Sequence, residues 1–548
     1  MRRVATLLWL GVFGGCSAQA VPAEPEKPKP DAGEQPGDKP GDKPVDENTK
    51  PDNGNGTRTD PTTSVSSNIG INLSAVNYYA TQFPFSNLFL NRDRWMSTDG
   101  MTWDTEMASS IPADADGYAL ELPAEGQMFQ ASAFLPIRPD TFVLTWKGDG
   151  ELTVQPEVKV LDWQENSITF NVPSAREEAL FLRIARSNPE DHIRAIEIHG
   201  QKQDYGADFR ASLQGFGVLR FMDWGATNNS PVVHWSDRTT PNQAQGTEHG
   251  VAIEHMVDTA NAVHADMWFN VPHKADDDYV QRAAQLIADR LDKKLKVYVE
   301  YSNENWNGIF TQVQWEQKQG LAAGLDKLGM YDTDEAAEFW AGMNFAVRRA
   351  GFIHGVFRKV LGDRVVRVLA GQSANAGLNE EILTAYEDER VNPSGGKVDA
   401  LAVAPYFGRI YGEPEEGASL TVARILSDAD ASIEELVAKD TRENRSVANA
   451  HGVHLIAYEA GQHVLLSGEL QKQDQLVQYT IQANRDPRMG DLYRKAHRAW
   501  LDAGGELAVY FSSCEPAGKY GSWGALEYQD QPPSEAPKWA ALRAIMQK

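Results

Sequence analysis

Cysteine is almost missing from this chain. Cys16 and Cys514 are the only two in 548 residues, which excludes a disulfide framework and a cysteine-built metal centre. Positive charge is also scarce, with 52 Lys and Arg against 77 Asp and Glu and a formal net charge of −25. A nucleic-acid binder needs a basic face to displace counterions from phosphates, so that class is excluded. Polyanionic substrates such as alginate or pectin are disfavoured by the same balance. No HxH, CxxC or HExxH spacing occurs, and neither a metal nor an organic cofactor is expected. What the chain does have is apolar material, 41% hydrophobic and 9% aromatic residues, enough for a large core. One core rarely grows past about 250–300 residues, so more than one structural unit is expected.

The first segment reads as an address. Met1-Arg2-Arg3 and the apolar run Val4 to Phe13 have the charged and hydrophobic parts of a secretory signal, and the run is shorter than the roughly 20 residues that span a bilayer. Phe13-Gly14-Gly15-Cys16 resembles a bacterial lipobox, which makes Cys16 the expected lipidation site, although Phe13 departs from the usual aliphatic residue. Ala18-Gln19-Ala20 offers the competing reading, an ordinary cleavage site that removes Cys16. Both readings export the protein, either as an outer-membrane or cell-surface lipoprotein or as a secreted one. In the first case the membrane contact is through the lipid anchor alone. Residues 21–66 are rich in proline and repeat Pro-Gly-Asp-Lys. Such a stretch cannot bury enough surface to offset its chain entropy and reads as a disordered linker.

From about residue 205 short apolar runs alternate with amphipathic segments at helical spacing, the pattern of a parallel sheet with helical crossovers. The strand candidates are Val218–Met222, Ala265–Val271, Lys296–Tyr301, Val365–Ala370, Ala400–Ala404, His454–Tyr458 and Leu507–Phe511, with Gly70–Ala75 ahead of them as the first. Helical stretches include Asp278–Leu291, Glu335–Val360, Leu420–Lys439, Leu492–Ala503 and Pro537–Met546. Eight such units make a (β/α)8 barrel. The segment 96–200 breaks the alternation with runs at Tyr118–Leu122, Thr141–Trp146, Glu151–Val154, Ser167–Val172, Ala179–Ile184 and Ile193–Ile198. It reads as an antiparallel β-sandwich inserted after the first barrel strand, with Lys147-Gly148-Asp149-Gly150 as a hairpin turn. The expected organisation is therefore signal 1–20, linker 21–66, first strand and loop 67–95, insert 96–200, and the rest of the barrel 201–548. Trp103, Trp146 and Trp163 of the insert are expected in its core, with carbohydrate contact as the other possibility.

Barrel active sites form at the C-terminal strand ends. Lys296–Tyr301 is followed by Ser302-Asn303-Glu304-Asn305-Trp306, and His454–Tyr458 by Glu459-Ala460-Gly461-Gln462-His463. Two glutamates at two strand tips supply the carboxylate pair that glycoside hydrolysis requires. On these motifs the sequence resembles the clan A glycoside hydrolases, retaining (β/α)8 enzymes with Asn-Glu ending strand four and Glu ending strand seven. The resemblance implies that Glu304 is the acid/base, Glu459 the nucleophile and Asn303 a donor to the sugar 2-hydroxyl. It also makes Arg220 of strand two a support for the nucleophile, Tyr406 in Ala404-Pro405-Tyr406 its second partner, and Trp523 the floor of the central sugar site. Trp523 lies farther past its strand than is usual in the clan. The implied carboxyl separation is about 5–5.5 Å.

Further cleft candidates follow the same strand ends: Trp224, Asn228, His234 and Trp235 after strand two, His273 after strand three, Trp306 after strand four and His463 after strand seven. Aromatic rings stack on apolar sugar faces, and Asn or His bonds hydroxyls. Each could equally be loop packing. Asp276-Asp277-Asp278 reads as a helix N-terminus rather than a metal cluster. The expected function is a retaining β-glycosidase, endo-acting on an extracellular polysaccharide of β-glucan or mannan type, working as a monomer. Two alternatives stand beside it: an inactive surface glycan-binding protein, which would usually have lost one glutamate, and a transglycosylase using the same two residues.

Overall fold

A computed structural model describes residues 68–547. The expected signal, the linker and Cys16 lie outside the described residues. Eight parallel strands close into a barrel in chain order: β1 (Ile69–Asn72), β2 (Val218–Arg220), β3 (Asp266–Val271), β4 (Val297–Tyr301), β5 (Val365–Ala370), β6 (Ala400–Val403), β7 (His454–Ala457) and β8 (Ala508–Tyr510). All eight fall on the runs expected from the sequence. The reason is visible in the register: successive side chains alternate between two apolar environments. Val218, Trp268, Val368, Ala400, Ala402, Ile456 and Val509 fill the lumen as one cluster, while Leu219, Met267, Phe269, Val299, Leu401 and Leu455 face the helical layer. Strands buried on both faces read as continuous apolar runs.

The helices follow their sequence signals closely. Thr333 caps the helix Asp334–Leu361 through its side chain, and Gly362 ends it. Asp276 caps Asp277–Arg290 by accepting from Tyr279 N–H, so the acidic triplet is a helix start. The stretch 422–451 is a helix with an inserted π turn, Ile433–Lys439.

Between β1 and β2 lie two four-stranded antiparallel sheets. One orders Met96–Thr98, Met128–Phe134, Leu180–Ser187 and Gly150–Gln155; the other orders Lys159–Gln164, Ser167–Val172, Asp140–Lys147 and Arg194–Gly200. Phe129, Leu152 and Leu182 of the first and Phe142, Leu144, Phe170 and Ile198 of the second share one hydrophobic cluster.

Three expectations need correction here. Tyr118–Leu122 is not a strand, since only Ala119 makes a single bridge, to Ala113. The turn at 147–150 is not a hairpin: Asp140–Lys147 pairs with Ser167–Val172 and Arg194–Gly200, while Gly150–Gln155 pairs with Leu180–Ser187. The chain crosses from one sheet to the other at Gly148, whose φ of +95° and backbone contact with His192 leave no space for a Cβ. Of the three tryptophans, Trp146 is buried, but Trp103 and Trp163 are 50% and 54% exposed. Trp163 sits on an edge strand that is exposed along its whole length, so alternation placed it without a second sheet to cover it.

Candidate active site

Arg220, the last residue of β2, lies in the barrel with 0% exposure. All five of its N–H donors are engaged. Nη1 donates to Glu459 Oε1 at 2.8 Å and to Asn72 Oδ1 at 3.0 Å. Nη2 donates to Asn303 Oδ1 at 2.8 Å and to Glu300 Oε2 at 3.0 Å, and Nε donates to Glu300 Oε2 at 3.3 Å. Burial works against its charge, but Glu300 and Glu459 outweigh burial and raise its pKa. The guanidinium is thus fixed in place and permanently charged.

Glu459 lies just past the end of β7, after Tyr458. Its Oε2 accepts from Tyr406 Oη at 2.9 Å, so both carboxylate oxygens have a donor. Burial raises the Glu459 carboxyl, and Arg220 with the Tyr406 hydroxyl pulls against that rise. Glu304 has neutral partners only. Tyr458 Oη donates to its Oε1 at 3.0 Å and Asn307 Nδ2 to its Oε2 at 2.9 Å. Burial first, then the Glu459 charge, pushes Glu304 up to about 8. Two neighbouring buried carboxylates cannot both ionise cheaply, and the one without the cation keeps the proton. The backbone at Ser302 (φ 58°) and Glu304 (φ 45°) is left-handed, a strained conformation for residues with side chains that recurs at functional sites.

Asn303 presents its oxygen to Arg220, which fixes the amide orientation, and its Nδ2 donates to Asn228 Oδ1 at 3.2 Å. Gln312, at the start of the following helix, donates to Asn228 Oδ1 at 2.8 Å and to Asn303 O at 2.9 Å. Two short parallel pairings, Tyr406–Phe407 with Gly461–Gln462 and Ile410–Tyr411 with Leu465–Leu466, carry β6 and β7 beyond the rim. They bring Tyr406 against His463 at 5.3 Å between ring centroids, and Trp523 closes the group at 5.1 Å from His463 and 6.2 Å from Tyr406. Trp523 reaches this position from a long loop. Gln462 Nε2 and Lys538 Nζ both donate to Ser522 O, and Gly521 (φ +131°) stands where a Cβ would strike the Trp523 ring. Glu304, Trp306, Tyr406 and His463 line one cavity with Gln372 and Asp440.

Other expected cleft residues lie elsewhere. Trp224 is buried core, packed on Phe85, on Phe221 and on Phe209 of the helix Tyr205–Ser212 that precedes β2. His234 pairs with Asp276 at 2.7 Å, which raises its pKa, and Trp235 packs on Tyr279 beneath Arg238. Both therefore serve the helix after β3. His273 is buried edge-on against Trp315 at 5.5 Å, and burial lowers its pKa to about 4.

Sequence reasoning missed Asn72, Glu300, Asn307, Tyr458 and Gln312. Glu300 is the most informative. It sits inside β4, where a charge breaks the apolar run Val297–Tyr301, and also accepts from Trp268 Nε1 and Asn270 Nδ2 at 2.8 Å each. A carboxylate in a barrel strand needs a buried partner, and that signal was available. Glu300→Gln is expected to lower kcat/KM by roughly 10²-fold, because Arg220 loses the anchor that aims it at Glu459. Steady-state kinetics with circular dichroism to confirm folding checks this; an unchanged kcat/KM would refute it.

No protein-family model matches the chain, and no curated protein matches it. Solved structures do resemble it. A GH51 arabinofuranosidase from Xanthomonas axonopodis pv. citri is 13% identical, with 58% of this chain and 62% of that chain covered and a TM-score of 0.36. This chain thus spans less than two thirds of that enzyme's length. The CBM22-1–GH10 modules of Clostridium thermocellum endo-1,4-β-D-xylanase 10B are 10% identical, covering 85% and 96% with a TM-score of 0.34. A modular endo-β-1,4-mannanase from Cellulomonas fimi is 12% identical, covering 60% and 62% with a TM-score of 0.30.

Proposed function

We propose that this protein is a retaining glycoside hydrolase that cleaves β-glycosidic bonds within an extracellular polysaccharide of β-glucan or mannan type. The observation that carries the reading is the unequal pair. Glu459 accepts from the Arg220 cation and from Tyr406, whereas Glu304 accepts only from neutral Tyr458 and Asn307, and burial with the Glu459 charge raises its pKa so that it is the one to keep a proton. In the first step Glu304 gives that proton to the leaving oxygen while Glu459 attacks the anomeric carbon. In the second step Glu304, now ionised, takes a proton from water as it displaces Glu459. Asn303, oriented by Arg220, donates to the sugar 2-hydroxyl, and Trp523 and His463 floor the ring. Export, with Cys16 as a lipid anchor, puts the enzyme where polymers too large to enter the cell are found.

The test is digestion of β-glucan, mannan and xylan with product sizing, and proton NMR of the first-formed anomer. Retention with internal cleavage is expected. An inverted anomer, or no cleavage of any β-linked polymer, would overturn the assignment.

The pH profile offers a separate check. Glu304 must be protonated in the free enzyme, so kcat/KM is expected to fall about tenfold per pH unit once pH rises past about 8. The acid limb belongs to Glu459, which must be ionised to attack, and burial shifts that limb upward from the ordinary carboxylate range. Glu304→Gln should remove the alkaline limb from whatever activity remains; a limb that persists would belong to another group.

A further inference from the structure

A second cavity, of about 360 Å³, lies between the segment following β1 and the loop following β2, away from Glu304 and Glu459. Arg92, Trp95 and Phe129 line one side, and Arg238 and His249 the other. Arg92 is 1% exposed. Its Nη1 donates to Phe89 O at 3.2 Å, and its guanidinium lies 4.2 Å from the Phe89 ring centroid and 5.4 Å from that of Tyr118. Its buried Nε has no hydrogen-bond partner, nor does Trp95 Nε1.

The acidic groups that face Arg92 are Asp93, Asp114 and Asp116, and each is engaged elsewhere. Asp93 Oδ1 accepts from Ser132 N at 3.0 Å. Asp114 binds His192 at 3.0 Å and Tyr118 N at 2.8 Å, and Asp116 binds Asn242 at 3.2 Å. The other cavity arginines are paired: Arg238 with Glu254 at 3.0 Å and Arg94 with Asp104 at 3.4 Å. One buried guanidinium is therefore left without a carboxylate, a costly arrangement unless an anion completes it.

We propose that this cavity binds a single carboxylate-bearing sugar unit, a uronic acid, with Arg92 taking the carboxylate and Trp95 packing against the sugar. A guanidinium fork matches a planar carboxylate bidentately. One uncompensated charge suits one acidic unit on an otherwise neutral chain, in keeping with a protein of net charge −25. The sugar half of the assignment rests on the hydrolase reading; the carboxylate half does not.

The test is calorimetric titration of the Glu304→Gln/Glu459→Gln protein with cellobiouronic acid, cellobiose and sodium acetate. Binding is read without turnover, so its failure is distinct from failure of the hydrolase reading. Cellobiouronic acid is expected to bind at least about tenfold tighter than cellobiose, with the preference shrinking in high salt. Arg92→Met should abolish the preference, leave cleavage of an aryl β-glycoside by the otherwise native enzyme unchanged, and not lower Tm. Arg92→Lys, which keeps the charge and loses the fork, should retain only part of the preference and replaces Arg92→Met if that variant does not fold. Equal binding of the acid and cellobiose, or a preference that survives Arg92→Met, would overturn the proposal. So would a large Tm loss with no uronate preference, which would make Arg92 structural. Acetate binding as tightly as the acid would remove the sugar from it.

Discussion

Glu459→Ala is expected to abolish turnover on every glycoside, by on the order of 10⁵-fold, whatever the leaving group. Without the carboxylate no glycosyl-enzyme forms, and Glu300 cannot replace it, being enclosed by Arg220, Trp268 and Asn270 in the barrel lumen. The substitution also strips a partner from one Arg220 N–H and from Tyr406 Oη. The Arg220 N–H is fully buried, and a buried donor that loses its partner costs about 1–3 kcal/mol, so Tm should fall, though Arg220 keeps Glu300. Glu459→Gln keeps the volume and an acceptor and should be equally inactive with a smaller Tm change. Measurable turnover of an activated aryl glycoside by either variant would show that Glu459 is not the nucleophile.

Glu304→Ala should behave differently. Its proton matters most when the departing oxygen is a poor leaving group, and a general acid contributes roughly 10²–10⁴-fold. The variant is expected to lose about that factor on a polysaccharide or alkyl glycoside, but less than about tenfold in forming the intermediate from an activated aryl glycoside. The second step then limits, because no base activates water. Added azide needs no base and should restore turnover while producing a glycosyl azide of β configuration. The geometry explains the asymmetry, since Tyr458 and Asn307 hold the Glu304 carboxyl without supplying a cation. Equal losses on both substrates without azide rescue would show that the acid lies elsewhere.

The places where sequence reading and structure part are physically coherent. Glu304 and Glu459 were legible because each lies within three residues of the end of an apolar strand, where the chain leaves the barrel wall. Trp224 and Trp235 lie on the loop that follows β2, yet one is core and the other packs on the helix after β3. A loop's return path depends on what packs beneath it, and no local pattern carries that. Trp163 failed in the opposite sense: period-two alternation marks a face but not whether a second sheet covers it.

By itself, the sequence determined the eight barrel strands and their order, because strands buried on both faces must be apolar throughout and helices between them must alternate. It also determined which two carboxylates stand at strand tips. Only the tertiary structure decided that these carboxylates are unequal. Arg220, Asn72, Glu300, Tyr406 and Tyr458 come from five different strands or strand ends, and their hydrogen bonds exist only once the barrel closes. That the Arg220 guanidinium touches Glu459, while burial and the Glu459 charge raise the pKa of Glu304, depends on a desolvated contact that sequence separation does not encode.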